Sequence, residues 1–206
     1  MNLTASEIRV LGCLLEKQRT TPDVYPLTLN ALRMACNQST NRDPVVNYDD
    51  DVLRDALHRL GRRGYTRLAS GNRSPKFRHL LAEALPLSEN EQATLCVLML
   101  RGPQTPGELK QRTERMHAFA DLAGVHGTLE QLIERGLVAR LERRPGQKEE
   151  RYSQLLGEGA EEDPPGLSLS AGVEAPASSA PANTSDLEER VARLEAEVAA
   201  LRAQMP

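Results

Sequence analysis

Leu57-His-Arg-Leu-Gly-Arg-Arg-Gly64 recurs, 72 positions later, as Leu129-Glu-Gln-Leu-Ile-Glu-Arg-Gly136. In both copies the leucines lie three positions apart, on one face of a helix, and a glycine follows where helices commonly end. A repeat at this distance exceeds the roughly 20–50 residues of solenoid units. It therefore predicts a small domain that is duplicated head to tail.

The starts of the two copies are also alike. Thr4-Ala-Ser-Glu7 and Ser88-Glu-Asn-Glu91 each place a hydroxyl three residues before a glutamate, ahead of an apolar helical pattern. This spacing predicts a capping box at the N-terminus of a first helix. The two starts are 84 positions apart, so the first copy has 12 more residues than the second before its third helix.

Each copy continues into further helices and an expected β-hairpin. Periodicity predicts second and third helices over 27–35 and 49–63 in the first copy, and a third helix over 125–135 in the second. The expected strands cover residues 65–69, 76–79, 137–141 and 150–153. Three helices closed by a hairpin is the winged-helix plan.

The predicted fold class is mainly α with small β-hairpins (α+β), in two tandem winged-helix domains. Its parts are winged-helix domain 1 at 1–84, winged-helix domain 2 at 85–157, a disordered linker at 158–185 and a coiled-coil helix at 186–206. The linker is predicted because Glu, Pro, Ala, Ser and Gly offer too little apolar surface to offset chain entropy.

The C-terminal segment has an apolar repeat at alternating spacings of four and three. β-Branched residues at position a with leucine at d favour a parallel two-stranded coiled coil, and so a homodimer. The candidate dimerisation residues are Leu187, Val191, Leu194, Val198, Leu201 and Met205. The alternative is a single amphipathic helix that docks on the protein's own body.

Charge is distributed unevenly along the chain, which the net charge of −3 conceals. Counting Lys and Arg against Asp and Glu, residues 1–82 carry +5, residues 83–157 carry −1 and residues 158–206 carry −7. The first domain is therefore the one suited to an anionic partner.

The cysteines and the hydropathy pattern predict a cytoplasmic protein without a membrane span. Cys13, Cys36 and Cys96 are odd in number and form no CxxC pair, which favours a reducing compartment. Cys13 and Cys96 lie among leucines and are expected in the core, and a structural role is also favoured for Cys36. No apolar run approaches the roughly 18–20 residues of a membrane helix, and no signal peptide is evident.

An enzymatic function is not expected. The chain has no Gly-rich phosphate loop, no HExxH and no Gly-x-Ser-x-Gly motif, and its four histidines lack metal-ligand spacing. We therefore predict no catalytic residue, no metal and no cofactor.

The residues that point to nucleic acid form a basic cluster and a polar loop. Guanidinium, ammonium and amide groups supply most contacts to phosphates and base edges. The candidate nucleic-acid residues are Asn37, Gln38, Asn41, Arg42, Arg62, Arg63, Arg67, Asn72, Arg73, Lys76 and Arg78. The simpler alternative is a capped turn beside a solvated basic face.

The start of the third helix argues against reading of bases by domain 1. In a helix-turn-helix this end enters the major groove, and here it is Asp49-Asp50-Asp51. Carboxylates favour the helix dipole but repel DNA. Contacts are therefore expected from the first wing and the preceding loop, with domain 2 left for packing or a protein partner.

Several longer motifs carry a resemblance to a known family. They are Leu11-Gly-Cys-Leu-Leu-Glu-Lys17, Thr20-Thr-Pro-Asp23, Asn41-Arg-Asp-Pro-Val45, Gln104-Thr-Pro-Gly-Glu-Leu109 and Arg151-Tyr152. Over residues 4–157 the chain resembles the YceH-like family of bacterial proteins. The resemblance implies a tandem winged-helix fold, and it transfers no activity, ligand or catalytic residue.

Two functions follow from these observations. The first is a regulator that binds double-stranded DNA through the basic wing of domain 1. The second is a protein–protein adaptor whose winged helices bind a protein partner in a chromosome-organising or other assembly, which the acidic start of the third helix favours.

Overall fold

The structure is a computed structural model that describes residues 1–69, 74–143 and 149–157. These residues fall within one compact unit, Met1–Pro164. The predicted linker (158–185) and coiled-coil helix (186–206), with all six candidate dimerisation residues, lie outside the described residues. Two candidate nucleic-acid residues, Asn72 and Arg73, lie outside them as well.

The first half contains three main helices and a small antiparallel sheet. Its elements are α1 (Ala5–Thr20), a 3-10 turn (Pro22–Val24), β1 (Leu27–Thr28), α2 (Leu29–Cys36), α3 (Asp50–Arg62), β2 (Thr66–Ala69) and β3 (Lys76–His79). The strand order is β1-β3-β2. Thr66 lies opposite His79, and Leu27 lies opposite Phe77.

The second half repeats this order in a reduced form. After the short helix α4 (Leu81–Ala84) come α5 (Glu89–Arg101), α6 (Pro106–Thr113), α7 (Leu122–Glu134), β4 (Val138–Leu141) and β5 (Arg151–Gln154). Strands β4 and β5 pair antiparallel. Gln104 and Tyr152 exchange two backbone hydrogen bonds, at 3.0 and 2.8 Å, in the position that β1 occupies in the first half.

Both predicted capping boxes are confirmed. Each provides hydrogen-bond acceptors for backbone N–H groups at the start of its helix, which have no partner within the helix. In α1 the Glu7 amide donates to Thr4 Oγ1 at 3.3 Å, and the Thr4 amide donates to Glu7 Oε2 at 2.7 Å. In α5 the Ser88 amide and the Ser88 hydroxyl both donate to Glu91 Oε2, at 2.8 and 2.6 Å. Gly64 and Gly136 end the repeated motif with positive φ angles of 76° and 65°, which a side chain would disfavour.

Helices α1 and α5 pack closely against each other, so one buried cluster runs through both halves. A methyl group on Gly12 would lie 2.8 Å from Leu100 Cδ2, and the Cys96 thiol lies 3.4 Å from the Gly12 carbonyl. Each helix is buried over most of its length, since Val10 to Leu15 and Ala93 to Leu100 are all buried. The repeated halves therefore share their main apolar layer.

The α+β architecture with small antiparallel sheets is confirmed, with some differences in detail. Leu27 was expected to begin a helix, but it pairs with Phe77, and α2 begins at Leu29. Helix α7 begins at Leu122 rather than near residue 125, because Asp121 accepts the Gly124 amide at 2.9 Å and caps it. All three cysteines are buried, as a structural role requires.

Among the residues that the structure describes, no helix is both long and apolar enough to cross a membrane.

Candidate nucleic-acid interface

The outer face of the β2–β3 hairpin carries most of the candidate basic residues. Successive side chains of a strand point to opposite faces of the sheet. Thr66 and His79 are buried, so the residues next to them in β2 and β3 lie on the opposite, outer face. That outer face holds Arg67, Lys76 and Arg78. We call these three residues the hairpin cations.

The hairpin cations lie close together with little acidic compensation. Arg67 and Arg78 are directly opposite each other in the ladder, and Lys76 is opposite Ala69. Like charges facing across a sheet are destabilising. Arg78 lies 3.2 Å from Glu83, whereas Arg67 and Lys76 form no ion pair with any described residue.

Two further candidates lie at the end of α3. Arg62 is exposed and has no ion pair among the described residues. Arg63 donates to the Asn2 carbonyl at 2.7 Å and lies 3.8 Å from the buried carboxylate of Glu7. Arg63 thus fixes the N-terminal residues of the chain, whereas the charge of Arg62 is exposed to solvent.

The acidic start of α3 is partly neutralised by its neighbours. Asp49 accepts the Val52 amide at 2.9 Å as the N-cap. Asp50 lies 3.3 Å from Arg33 and 3.6 Å from Arg54. The exposed face of α3 therefore mixes both signs of charge, in contrast to the hairpin.

The loop candidates between α2 and α3 make internal contacts instead of joining the hairpin. Asn37 holds Tyr48 by two hydrogen bonds, of 2.8 and 2.9 Å. Gln38 accepts from Arg42 at 2.7 Å. Asn41, which has a φ of 60°, accepts from Arg101 of α5. No hydrogen bond or ion pair joins this loop to the hairpin cations within the described ranges.

Arg42 is buried, so the structure places it away from any surface that a nucleic acid could reach. Its side chain is 0% exposed and donates to both carboxylate oxygens of Glu16, at 3.1 and 2.6 Å. It also donates to the Ala35 carbonyl at 3.0 Å. Burial alone would raise the pKa of Glu16, but the hydrogen bonds and charge of Arg42, with a contribution from Lys17, lower it overall. We therefore leave Arg42 out of the candidate interface.

The second hairpin differs from the first because its described arginines are paired. Arg140 and Arg143 lie 3.4 and 3.8 Å from Glu150, and Arg140 also stands over the Tyr152 ring. Arg151 lies 3.4 Å from Glu108. Among the described residues of the two hairpins, the cations without an ion pair are therefore on the first, at Arg67 and Lys76.

His79, for which the sequence predicted no role, is buried on the inner face of the first hairpin. Its Nε2 lies 2.6 Å from Gln18 Oε1, and its Nδ1 accepts the Leu81 amide at 3.3 Å. These partners require the neutral ring with its hydrogen on Nε2. Burial lowers the pKa of His79 to about 4, against a smaller opposing effect of Glu83.

No group of three or more His, Cys, Asp or Glu side chains is arranged to hold a metal ion in the described part of the chain.

Comparison with known proteins places the chain in a bacterial family. Residues 3–147 match the model of the family described as "Protein of unknown function, DUF480". A "UPF0502 protein" of Pelobacter propionicus is 49% identical over 208 residues, covering 100% of this chain and 92% of that protein. A "UPF0502 protein" of Solibacter usitatus is 48% identical, covering 97% and 93%. The chain belongs to this family, in agreement with the resemblance seen in its motifs.

Proposed function

We propose that this member of the UPF0502 family is a non-enzymatic, cytoplasmic protein of tandem winged-helix fold that binds double-stranded DNA as a transcriptional regulator. The DNA contact is assigned to the hairpin cations and Arg62.

The order of elements supports the winged-helix part of this proposal. Helix, strand, helix, helix, strand, strand, with a β1-β3-β2 sheet, is the order expected of such a domain. The second half has the same order, with the Gln104–Tyr152 bridge in place of β1. In both halves two paired strands follow the third helix, as the wing does in this fold.

The observation that carries the DNA part is the positive charge of the first hairpin, where Arg78 alone of the three cations has an acidic partner among the described residues. Arg67 faces Arg78 across the ladder, and Lys76 shares their face. A row of phosphates would relieve the repulsion between these side chains, and release of counterions from the duplex would add to the affinity. The paired arginines of the second hairpin offer no such gain.

The mode of contact follows from the charges of α3. Its first turn contains Asp50 and Asp51, and within the described part of the chain only Asp50 has cationic partners. A carboxylate at this end opposes entry into the major groove. Binding is therefore assigned to phosphates along the backbone, with little discrimination between base sequences.

Dimerisation through Leu187 to Met205 completes the proposal. Two copies of the basic wing on one duplex would bind more tightly than one, through a raised effective concentration. The 28 residues of the predicted linker would leave the spacing between the two wings variable.

The test is an equilibrium titration of the full chain with a random-sequence duplex, in phosphate-free buffer at several salt concentrations. The proposal expects a Kd in the micromolar range or below at low salt. The logarithm of the affinity, plotted against the logarithm of the salt concentration, should fall with a slope of about −0.9 per phosphate neutralised. Absence of binding at low salt would reject the DNA function.

A protein–protein adaptor is the second candidate, and the surface of α7 favours it. This helix is the counterpart of α3, yet it contains no Lys or Arg, and Leu122 at its start is 46% exposed. An exposed apolar side chain on a helix whose exposed charged residues are Glu130 and Glu134 suits a protein partner better than a polyanion. If the chain does not bind DNA in the titration, the next experiment is a search for a protein partner of the α7 surface.

A further inference from the structure

A cavity of about 470 Å³ lies between elements of the two halves, on the side of α1 away from its N-terminal cap. Its walls come from the C-terminal part of α1, the α2–α3 loop, α5, and the end of α6 with the turn that follows. This volume is within the range of small-molecule sites, which is roughly 300–1,000 Å³.

Four cationic side chains line this cavity: Lys17, Arg101, Arg112 and Arg115. They come from three separate helices and a turn, so the fold brings together charges that are up to 98 positions apart in the sequence. We call these four residues the cavity cations.

The acidic groups nearby are each shared between two cations. Glu16, the one carboxylate among the described lining residues, receives two hydrogen bonds from the buried Arg42 and also lies 3.4 Å from Lys17. Glu108 is shared between Arg112, at 3.3 Å, and Arg151, at 3.4 Å. The cavity therefore keeps an excess of positive charge.

Three of the cavity cations also contact neutral groups that orient them. Arg101 donates to Asn41, and Arg112 donates to Gln104. Lys17 lies 3.4 Å from the amide oxygen of Gln38. Arg115 makes no hydrogen bond or ion pair with any described residue. Burial, followed by the positive charge of Arg112, lowers the pKa of Arg101, as expected where like charges are crowded.

One wall of the cavity is apolar. Val97, Leu100 and Met116 contribute to the lining beside the cations. A ligand that combines a polyanionic end with a ring or ribose could therefore use both surfaces. Inorganic ions would use only the charged one.

We propose that this cavity binds a small molecule with two or more phosphate groups, of the nucleoside diphosphate class. The proposal is independent of the DNA function, because it uses none of the hairpin cations. It gives a role to Gln38 and Asn41, which face this cavity and make no contact with the hairpin.

The test measures binding of ADP and of inorganic pyrophosphate to the full chain by isothermal titration calorimetry, without DNA. Sodium sulfate at equal ionic strength is the comparison for non-specific anion binding. We expect saturable binding of both phosphate probes, tighter than that of sulfate. We also expect Tm to rise with probe concentration, because the site exists in the folded chain and not in the unfolded one.

Variants locate the site. Arg115→Ala should leave folding intact, because Arg115 has no partner among the described residues, and it should weaken the affinity for ADP about tenfold or more. Arg101→Ala should weaken it at least as much. Lys110→Ala is the matched control: it removes a cation from the same helix as Arg112 but does not line the cavity.

The outcomes separate clearly. Loss of affinity in Arg115→Ala and Arg101→Ala, but not in Lys110→Ala, supports the site. Absence of binding by either phosphate probe at millimolar concentration would overturn it. Sulfate binding as tight as pyrophosphate binding, or affinity equal in all variants, would overturn it too. None of these results depends on whether the hairpin cations bind DNA.

Discussion

Arg42 and Glu16 form a two-pronged ion pair at the junction of α1 with the α2–α3 loop. Arg42 Nη1 lies 3.1 Å from Glu16 Oε1, and Nη2 lies 2.6 Å from Oε2. The arginine side chain is fully buried, and the glutamate side chain is 16% exposed. Arg42, which the local sequence suggests as a phosphate ligand, is thus part of the protein interior.

Truncation of this pair should be costly to stability. Arg42→Met leaves the Glu16 carboxylate and the Ala35 carbonyl without their partner, and should lower the free energy of unfolding by about 3–5 kcal/mol. Urea denaturation measures this loss. Arg54→Met, which breaks the exposed pair with Asp50, is the control and should cost under about 1 kcal/mol. Equal losses in the two variants would show that Arg42 is not buried.

Protonation of His79 should weaken the fold in mild acid. Its folded pKa is lowered to about 4, from an ordinary value of 6.5, so the unfolded chain binds the proton first as the pH falls. The stability that depends on the neutral ring is complete above pH 6.5 and is lost as the pH falls toward 4. The loss over this window should be roughly 3 kcal/mol.

The free energy of unfolding, measured from pH 7 to pH 4, checks this prediction. His79→Gln keeps a donor for Gln18 and cannot titrate, so it should remove much of the slope between pH 6.5 and 4. His58→Gln, at an exposed position of α3, should retain it. A wild-type chain with constant stability over this range would contradict the prediction.

Gly12 should tolerate no side chain, because it is the point of close approach between α1 and α5. The added methyl group of Gly12→Ala would lie 2.8 Å from Leu100 Cδ2 and 3.3 Å from Met99 Cβ. We expect overpacking to destabilise the chain by about 1–3 kcal/mol.

Gly127 provides the opposite case on α7. No atom lies within 4 Å of the position its methyl group would take. Gly127→Ala should therefore stabilise the chain by about 0.5–1 kcal/mol, through helix propensity alone. Thermal unfolding of both variants gives the comparison, and two changes of the same sign would argue against close packing of α1 on α5.

The C-terminal heptads predict that the chain is a dimer. Sedimentation of the full chain should give twice the mass of the monomer, and removal of residues 186–206 should give the monomer. Leu194→Glu, at position d, should dissociate the dimer, whereas Ala199→Glu, at the outward position b, should not. An unchanged mass after truncation would remove the coiled-coil prediction.

Local patterns in the sequence were sufficient for the features that depend on local geometry. The capping boxes at Thr4 and Ser88 were predictable because a hydroxyl and a glutamate three residues apart satisfy the same helix end. The hairpins followed from the repeat of short strands after Gly64 and Gly136. The helical bounds agreed to within a few residues, with Asp121 as the cap that was overlooked.

Features that depend on distant residues could not be found in this way. Arg42 stands in a polar loop and acquires its partner only when Glu16, 26 positions earlier, is folded beside it. His79 is set by Gln18, on another element. The cavity cations converge only when α1, α5 and α6 meet.

The close packing of α1 and α5 left one usable signal in the sequence. The central parts of both helices, Val10 to Leu15 and Leu95 to Leu100, are apolar at every position, a composition typical of a helix that is covered on all sides. Gly12, between leucines in α1, marks the point of contact.

The most direct test of the account compares duplex binding by two triple variants. Arg67→Ala/Lys76→Ala/Arg78→Ala removes the hairpin cations, and Arg140→Ala/Arg143→Ala/Arg151→Ala removes the paired arginines of the second hairpin. Fluorescence anisotropy with a random duplex, repeated from low to moderate salt, gives the affinity and its salt slope for each. We predict that the first variant loses most of its affinity and that its slope becomes shallower by up to about 2.7, at about 0.9 per phosphate, while the second stays near wild type. Equal effects of the two variants, or an unchanged slope in the first, would contradict DNA binding by the first hairpin.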